Sequence, residues 1–126
     1  MAYVFYNPNP KNQRVGDCAV RAICKALGKE WDSVYISLCS EGLIFRDMPS
    51  ANYVWGMFLK KNGFEEYMLP SICPQCTTVA QFAKDHKRGT YVLACQNHVV
   101  CVKDGNYYDS FDSGNETVLY FYEKEM

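Results

Sequence analysis

His98-Val99-Val100-Cys101-Val102-Lys103-Asp104-Gly105-Asn106-Tyr107-Tyr108-Asp109-Ser110-Phe111 reads as two β-favouring runs folded about a turn. Valine, tyrosine and phenylalanine fit a pleated, half-buried surface, and Asp-Gly between two such runs is a strong hairpin signal. The register depends on turn length. A two-residue turn at Asp104-Gly105 pairs Lys103 with Asn106 and therefore His98 with Phe111, which puts Asp109 on the histidine's face. One more turn residue pairs His98 with Asp112 instead. A slip of one residue reverses every facing, so spacing leaves both acids open.

Outward from this hairpin, Tyr91 to Cys95 and Thr117 to Tyr122 supply further short strands, with Gln96-Asn97 as the preceding turn. Towards the N-terminus the pattern changes to helical. Ala19, Ala22, Ile23, Ala26 and Leu27 recur at helical spacing from Cys18 to Leu27, with Asp17 suited to the N-cap and Gly28 to the stop. A second helix is expected over Trp31 to Ser40, with Val34, Tyr35 and Leu38 inward and Gly42 closing it. A third is expected from Ser50 to Lys61, ended by Asn62-Gly63. Tyr3 to Tyr6 and Phe64 to Leu69 read as strands, and 7–12 as an extended turn rich in proline. Thr78 and Gln81 have the spacing of a capping box opening a short helix to His86. Helices first and an antiparallel sheet second make an α+β chain, and 126 residues suit one domain over 1–126.

Composition removes several function classes. A net charge of −1 gives no electrostatic case for nucleic acid or an anionic membrane surface. The basic residues Lys60-Lys61 and Lys84 to Arg88 read as solvated helix ends. No apolar run reaches the roughly 20 residues that a spanning helix needs. The opening residues lack the basic-then-apolar order of a signal peptide, so the seven cysteines are expected to be reduced thiols in a cytoplasm.

Two residues carry the chemistry. Cys18 stands where a loop becomes a helix, and the first-turn N–H groups and helix dipole favour thiolate over thiol there. The adjacent Asp17 opposes this unless its side chain points away. Of the two histidines, His86 sits in a polar stretch expected to be exposed, which leaves His98 as the base for Cys18. A third group must hold the other ring nitrogen, and Asp109 and Asp112 are the candidates.

Asp17-Cys18-Ala19-Val20-Arg21-Ala22 resembles the nucleophile helix of papain-like peptidases, and looks closest to bacteriocin-transporter peptidase domains and Josephin-type deubiquitinases. The segment from His98 to Ser113 resembles the histidine-to-acid hairpin of the same superfamily. The chain is also similar over nearly its whole length to short papain-like proteins of Gram-positive bacteria and their phages. The resemblance implies a nucleophile helix packed on the C-terminal sheet. It also implies a thiol-dependent hydrolase that cleaves a peptide or isopeptide bond by acyl transfer, with a peptide or protein as partner and no cofactor. It places Cys18 on the nucleophile and His98 on the base. Asp112 falls on the orienting acid, seven residues past Gly105, and Asp109 stays as the alternative. Papain-like enzymes often place an oxyanion-binding glutamine five or six residues before the cysteine, where Gln13 and Asn12 stand. The alternative function is a catalytically inactive binding module on the same scaffold, sequestering a ligand or inhibiting a host protein.

The other cysteines add little. Cys73-Pro74-Gln75-Cys76 could supply half a tetrahedral zinc site, but no second pair completes it, so it reads as a turn with two unpaired thiols and no metal is expected. Cys24 and Cys39 lie on apolar helix faces, and Trp31 and Trp55 read as anchors between helices.

Overall fold

The computed structural model of the chain describes residues 3–69 and 76–125. The elements follow in the order β1 (Tyr3–Phe5), α1 (Cys18–Leu27), α2 (Trp31–Phe45), α3 (Asn52–Lys61), β2 (Phe64–Met68), β3 (Thr77–Thr78), α4 (Val79–Asp85), β4 (Thr90–Cys95), β5 (His98–Lys103), β6 (Asn106–Asp109) and β7 (Thr117–Lys124). The chain is therefore α+β. The described residues form a seven-stranded open sheet of order β1-β6-β5-β4-β7-β2, with the two-residue β3 also paired to β7.

The sheet is mixed rather than antiparallel throughout, because β1 runs parallel to β6. Hairpin geometry fixes β5 and β6 as antiparallel, but β1 is joined to β6 by about a hundred residues of chain, so no turn dictates its direction. β1 covers the open edge of β6, and the Tyr6 N–H beyond it donates to the Asp109 carbonyl at 2.8 Å.

The β5–β6 turn has two residues. Lys103 faces Asn106 and Val102 faces Tyr107, with Asp104 at φ 50° and Gly105 at φ 86°. Positive φ at both central positions matches the twist of the strands, and glycine carries it without a Cβ penalty. This is the register that sets Asp109 on the face of His98.

Apolar residues on both faces of the central strands divide the core in two. Val92, Ala94, Val99 and Cys101 meet Ile23, Leu38, Trp55 and Leu59 of α1, α2 and α3. Their alternates Leu93, Val100 and Val102 meet Phe82 of α4 and Phe121 of β7. A strand buried on both sides reads as a continuous apolar run, as Tyr91 to Cys95 does. Trp55 is fully buried in the first cluster, as expected of an anchor, whereas Trp31 is half-buried.

Several local expectations change. α2 runs to Phe45, and Arg46 in the left-handed region (φ 56°) ends it instead of Gly42. Gly42 is buried inside the helix, where the chain at 47–49 crosses it. A Cβ there would lie 2.6 Å from the Asp47 carbonyl oxygen. The glycine that looks like a stop signal is a packing glycine. Tyr35 is 44% exposed rather than inward and stacks on Trp31 at 5.0 Å. His86 is half-buried, not exposed. Its ring lies on Phe82 at 3.7 Å and its Nδ1 meets the Phe82 carbonyl at 2.8 Å, on the α4 face of the sheet. Thr78 caps α4, accepting from the Gln81 N–H at 3.2 Å, but the Gln81 side chain turns to Asp85 and does not close the box. Among the described residues no helix is long and apolar enough to cross a membrane.

Candidate active site

α1 packs along β5 and β6 so that its first residue, Cys18, meets the first residue of β5, His98. The thiol lies against the imidazole and the Val99 N–H, close enough for both to hold its pKa down. His98 Nε2 donates to Asp109 Oδ2 at 2.6 Å, which leaves Nδ1 as the ring nitrogen facing sulfur. Asp109 is fully buried and saturated with donors. Its Oδ2 also accepts from the Ser113 hydroxyl at 2.7 Å. Its Oδ1 accepts from the Ser110 N–H at 2.8 Å and from Arg21 Nε and Nη2 at 3.1 and 2.9 Å.

The two-residue turn thus decides between the two acids. Asp112 is not brought to His98. It is exposed, and its Oδ1 accepts from the Tyr107 hydroxyl at 2.6 Å and the Gly114 N–H at 2.9 Å. In the register that continues β5–β6, the residue opposite His98 is Phe111, whose ring lies 5.0 Å from the imidazole. Gln13 is not brought to the thiol either. It is exposed, its carbonyl accepts from the Asn7 side-chain amide at 3.2 Å, and it lines neither cavity beside Cys18. Asn12 is exposed in the left-handed region with its N–H on the Asn9 carbonyl.

Asp17 occupies the N-cap position of α1 but makes no side-chain cap. Its Oδ1 accepts from Arg21 Nη1 at 2.6 Å and its Oδ2 from the Trp31 indole N–H at 2.9 Å. Two consequences follow. The negative charge beside the thiol is neutralised by Arg21, and the first-turn N–H groups are left without a side-chain oxygen, open to an anion. Asp17, Arg21, Asp109, His98 and Cys18 form a chain of groups of alternating charge. Arg21 and Asp109 are almost wholly withdrawn from water, at 4% and 0% exposure.

Burial alone pushes the Cys18 thiol up. The His98 hydrogen bond, the imidazole charge, the Val99 N–H and Arg21 outweigh it, and the pKa falls below its ordinary value. Burial alone pulls His98 down, but the hydrogen bonds to Asp109 and Cys18 and their charges raise it to about 9. Burial alone pushes Asp109 up, and His98, Ser113 and Arg21 hold it below the usual carboxylate range. The lowered thiol and the raised imidazole both move the pair toward its thiolate–imidazolium form.

Cys18 lies between two cavities. One, of roughly 400 Å3, is walled by Val15, Val20, Trp31, Tyr35, Met48 and Pro49 beside the first turn of α1. The other, of roughly 310 Å3, is walled by Arg14, Arg21, Asn97, His98, Ser110 and Phe111.

Three residues that sequence reasoning misses join the site: Arg21, Trp31 and Ser113. The signal for Arg21 was present. Asp17 and Arg21 are four residues apart on a helix, and an arginine flanked by buried Val20 and Ala22 needs a buried partner. Ser113 carried no comparable signal.

Of the remaining cysteines, Cys24 is buried and Cys39 half-buried. Cys76 is disulfide-bonded rather than a free thiol, and Cys73 lies outside the described residues. Among the described residues no group of three or more His, Cys, Asp or Glu side chains is placed to hold a metal ion. No protein-family model, curated protein or solved structure matches the chain.

Proposed function

We propose that the chain is a papain-like thiol hydrolase that cleaves a peptide or isopeptide bond by acyl transfer. The observation that carries this reading is the series Cys18–His98–Asp109, an imidazole standing beside the thiol at the uncapped N-terminus of a helix and hydrogen-bonded to a buried carboxylate. A nucleophile, a base on it, and an orienting acid on the base's other nitrogen are the groups acyl transfer needs.

In this mechanism the Cys18 thiolate attacks the substrate carbonyl. The oxyanion forms against the first-turn N–H groups of α1, Cys18's own among them. As the C–N bond breaks, His98 passes its proton to the leaving amine, and a thioester to Cys18 remains. A water molecule then gives a proton to His98 and adds to the thioester. The C–S bond breaks and the thiolate–imidazolium pair is restored. Asp109 keeps the imidazole oriented and stabilises its charged form. A preorganised oxyanion donor is worth about 3 kcal/mol in such a step, and here it is backbone and not Gln13.

The test is single-turnover acylation by p-nitrophenyl acetate. Expected is a stoichiometric burst of nitrophenolate with the acetyl group found on Cys18 by mass spectrometry, absent in Cys18→Ala. A burst that survives in Cys18→Ala, or no acyl-enzyme in the wild type, overturns the proposal and leaves a binding module as the working alternative.

A further inference from the structure

The two cavities that meet at Cys18 differ in chemistry, and His98 gives them a direction. His98 lines only the second. Because it must hand its proton to the leaving amine, that amine lies on its side, towards Arg14 and Phe111. The carbonyl and the group that bears it then lie against the first turn of α1, at the mouth of the first cavity.

That cavity is walled by Val15, Trp31, Tyr35, Met48 and Pro49. Among the described residues, the charged groups lining it are the Cys18 thiolate, paired with His98, and Asp17, whose two carboxylate oxygens are already held by Arg21 and Trp31. A charged side chain entering it would lose water and meet no unengaged counter-charge, whereas an apolar one would cover Trp31, Tyr35 and Met48. A volume of roughly 400 Å3 holds a large side chain with its backbone. Resting on the thiol-hydrolase reading, we infer that the site selects acyl donors with a bulky apolar or aromatic side chain within two residues on the carbonyl side of the scissile bond.

The experiment measures the rate at which Cys18 is alkylated by acetyl-Xaa-Gly and acetyl-Gly-Xaa chloromethyl ketones, with Xaa as Phe, Leu, Lys or Glu. The sulfur–carbon bond forms as chloride leaves, and no natural substrate is needed. Expected in at least one series is a rate for Phe and Leu about ten- to a hundred-fold above that for Lys and Glu, the worth of burying one large apolar side chain. Met48 is 67% exposed, so Met48→Glu leaves the core untouched. It should lower the Phe rate and lift the Lys probe above the Glu probe. Cys18 reacting much faster than free cysteine, but with equal rates for all side chains or with no response to Met48→Glu, overturns the inference and spares the hydrolase reading. Reaction no faster than free cysteine with every probe sinks both.

Discussion

Arg21 links the helix start to Asp109, and replacing it by methionine removes the positive charge while keeping a long apolar stem. Asp17 would then keep only the Trp31 indole, and Asp109 only His98, Ser110 and Ser113, with both carboxylates still buried. Breaking a buried pair by removing one partner costs about 3–5 kcal/mol, most of it from the stranded charge. That is a large share of the roughly 5–15 kcal/mol that holds a domain together. With a urea slope of about 2 kcal/mol per molar, the unfolding midpoint should drop by roughly 2 M at pH 7. The sign with pH follows from Asp109. Its folded pKa is depressed, so in the wild type its contribution is present above the unfolded value near 4 and is lost as pH falls through the folded one. Without Arg21 that carboxyl loses the smallest of the influences holding it down while His98 and Ser113 remain, so its pKa moves part-way up and the variant's deficit shrinks as pH falls from 7 to about 4. Arg21→Lys keeps the charge but not the guanidinium that spans both acids, and should fall between the two. Urea titrations at both pH values check this. A midpoint drop under roughly 0.5 M, or a deficit that does not change with pH, would refute a shared buried network.

The two candidate acids separate cleanly by mutation. Asp109→Asn should lower turnover by a factor on the order of 10^4, as loss of the orienting acid does in a serine triad, while Asp112→Asn, which faces Tyr107, should stay within about three-fold. The pH profile of turnover should be a bell. It rises below the ordinary thiol range, because Cys18 is lowered, and falls near 9 as His98 loses the proton it gives the leaving group; a profile still rising beyond pH 9 contradicts the pairing. Gly42→Ala gains up to about 1 kcal/mol from helix propensity, but its Cβ meets the Asp47 carbonyl, so a net loss of about 1–3 kcal/mol in thermal or urea unfolding is expected. Stabilisation instead would mean that the 47–49 crossing is not close-packed.

Much of the fold was legible because local signals agreed with one another. Asp104-Gly105 set the hairpin, Gly28 ended α1 in the left-handed region, and Thr78 capped α4. The misses share a cause: a residue with a familiar local meaning serves a tertiary contact instead. Gly42 admits a crossing backbone and ends nothing, and Asp17 trades its cap for Arg21 and Trp31. His86 leaves solvent to stack on Phe82. Cys18 and His98 could be named because residue order and helix-start chemistry are sequence properties. The third group could not, since a one-residue change in turn length exchanges Asp109 for Asp112, and Arg21 was passed over although its spacing from Asp17 was visible.

The central claim is that Cys18 and His98 form a thiolate–imidazolium pair. The most direct test is the pH dependence of iodoacetamide labelling, read site by site by mass spectrometry on the wild type and on His98→Ala. Cys18 is expected to label quickly at a pH clearly below that at which an ordinary thiol does, and to lose that behaviour without His98. A Cys18 that labels like an ordinary thiol near pH 8.5, with no dependence on His98, would contradict it.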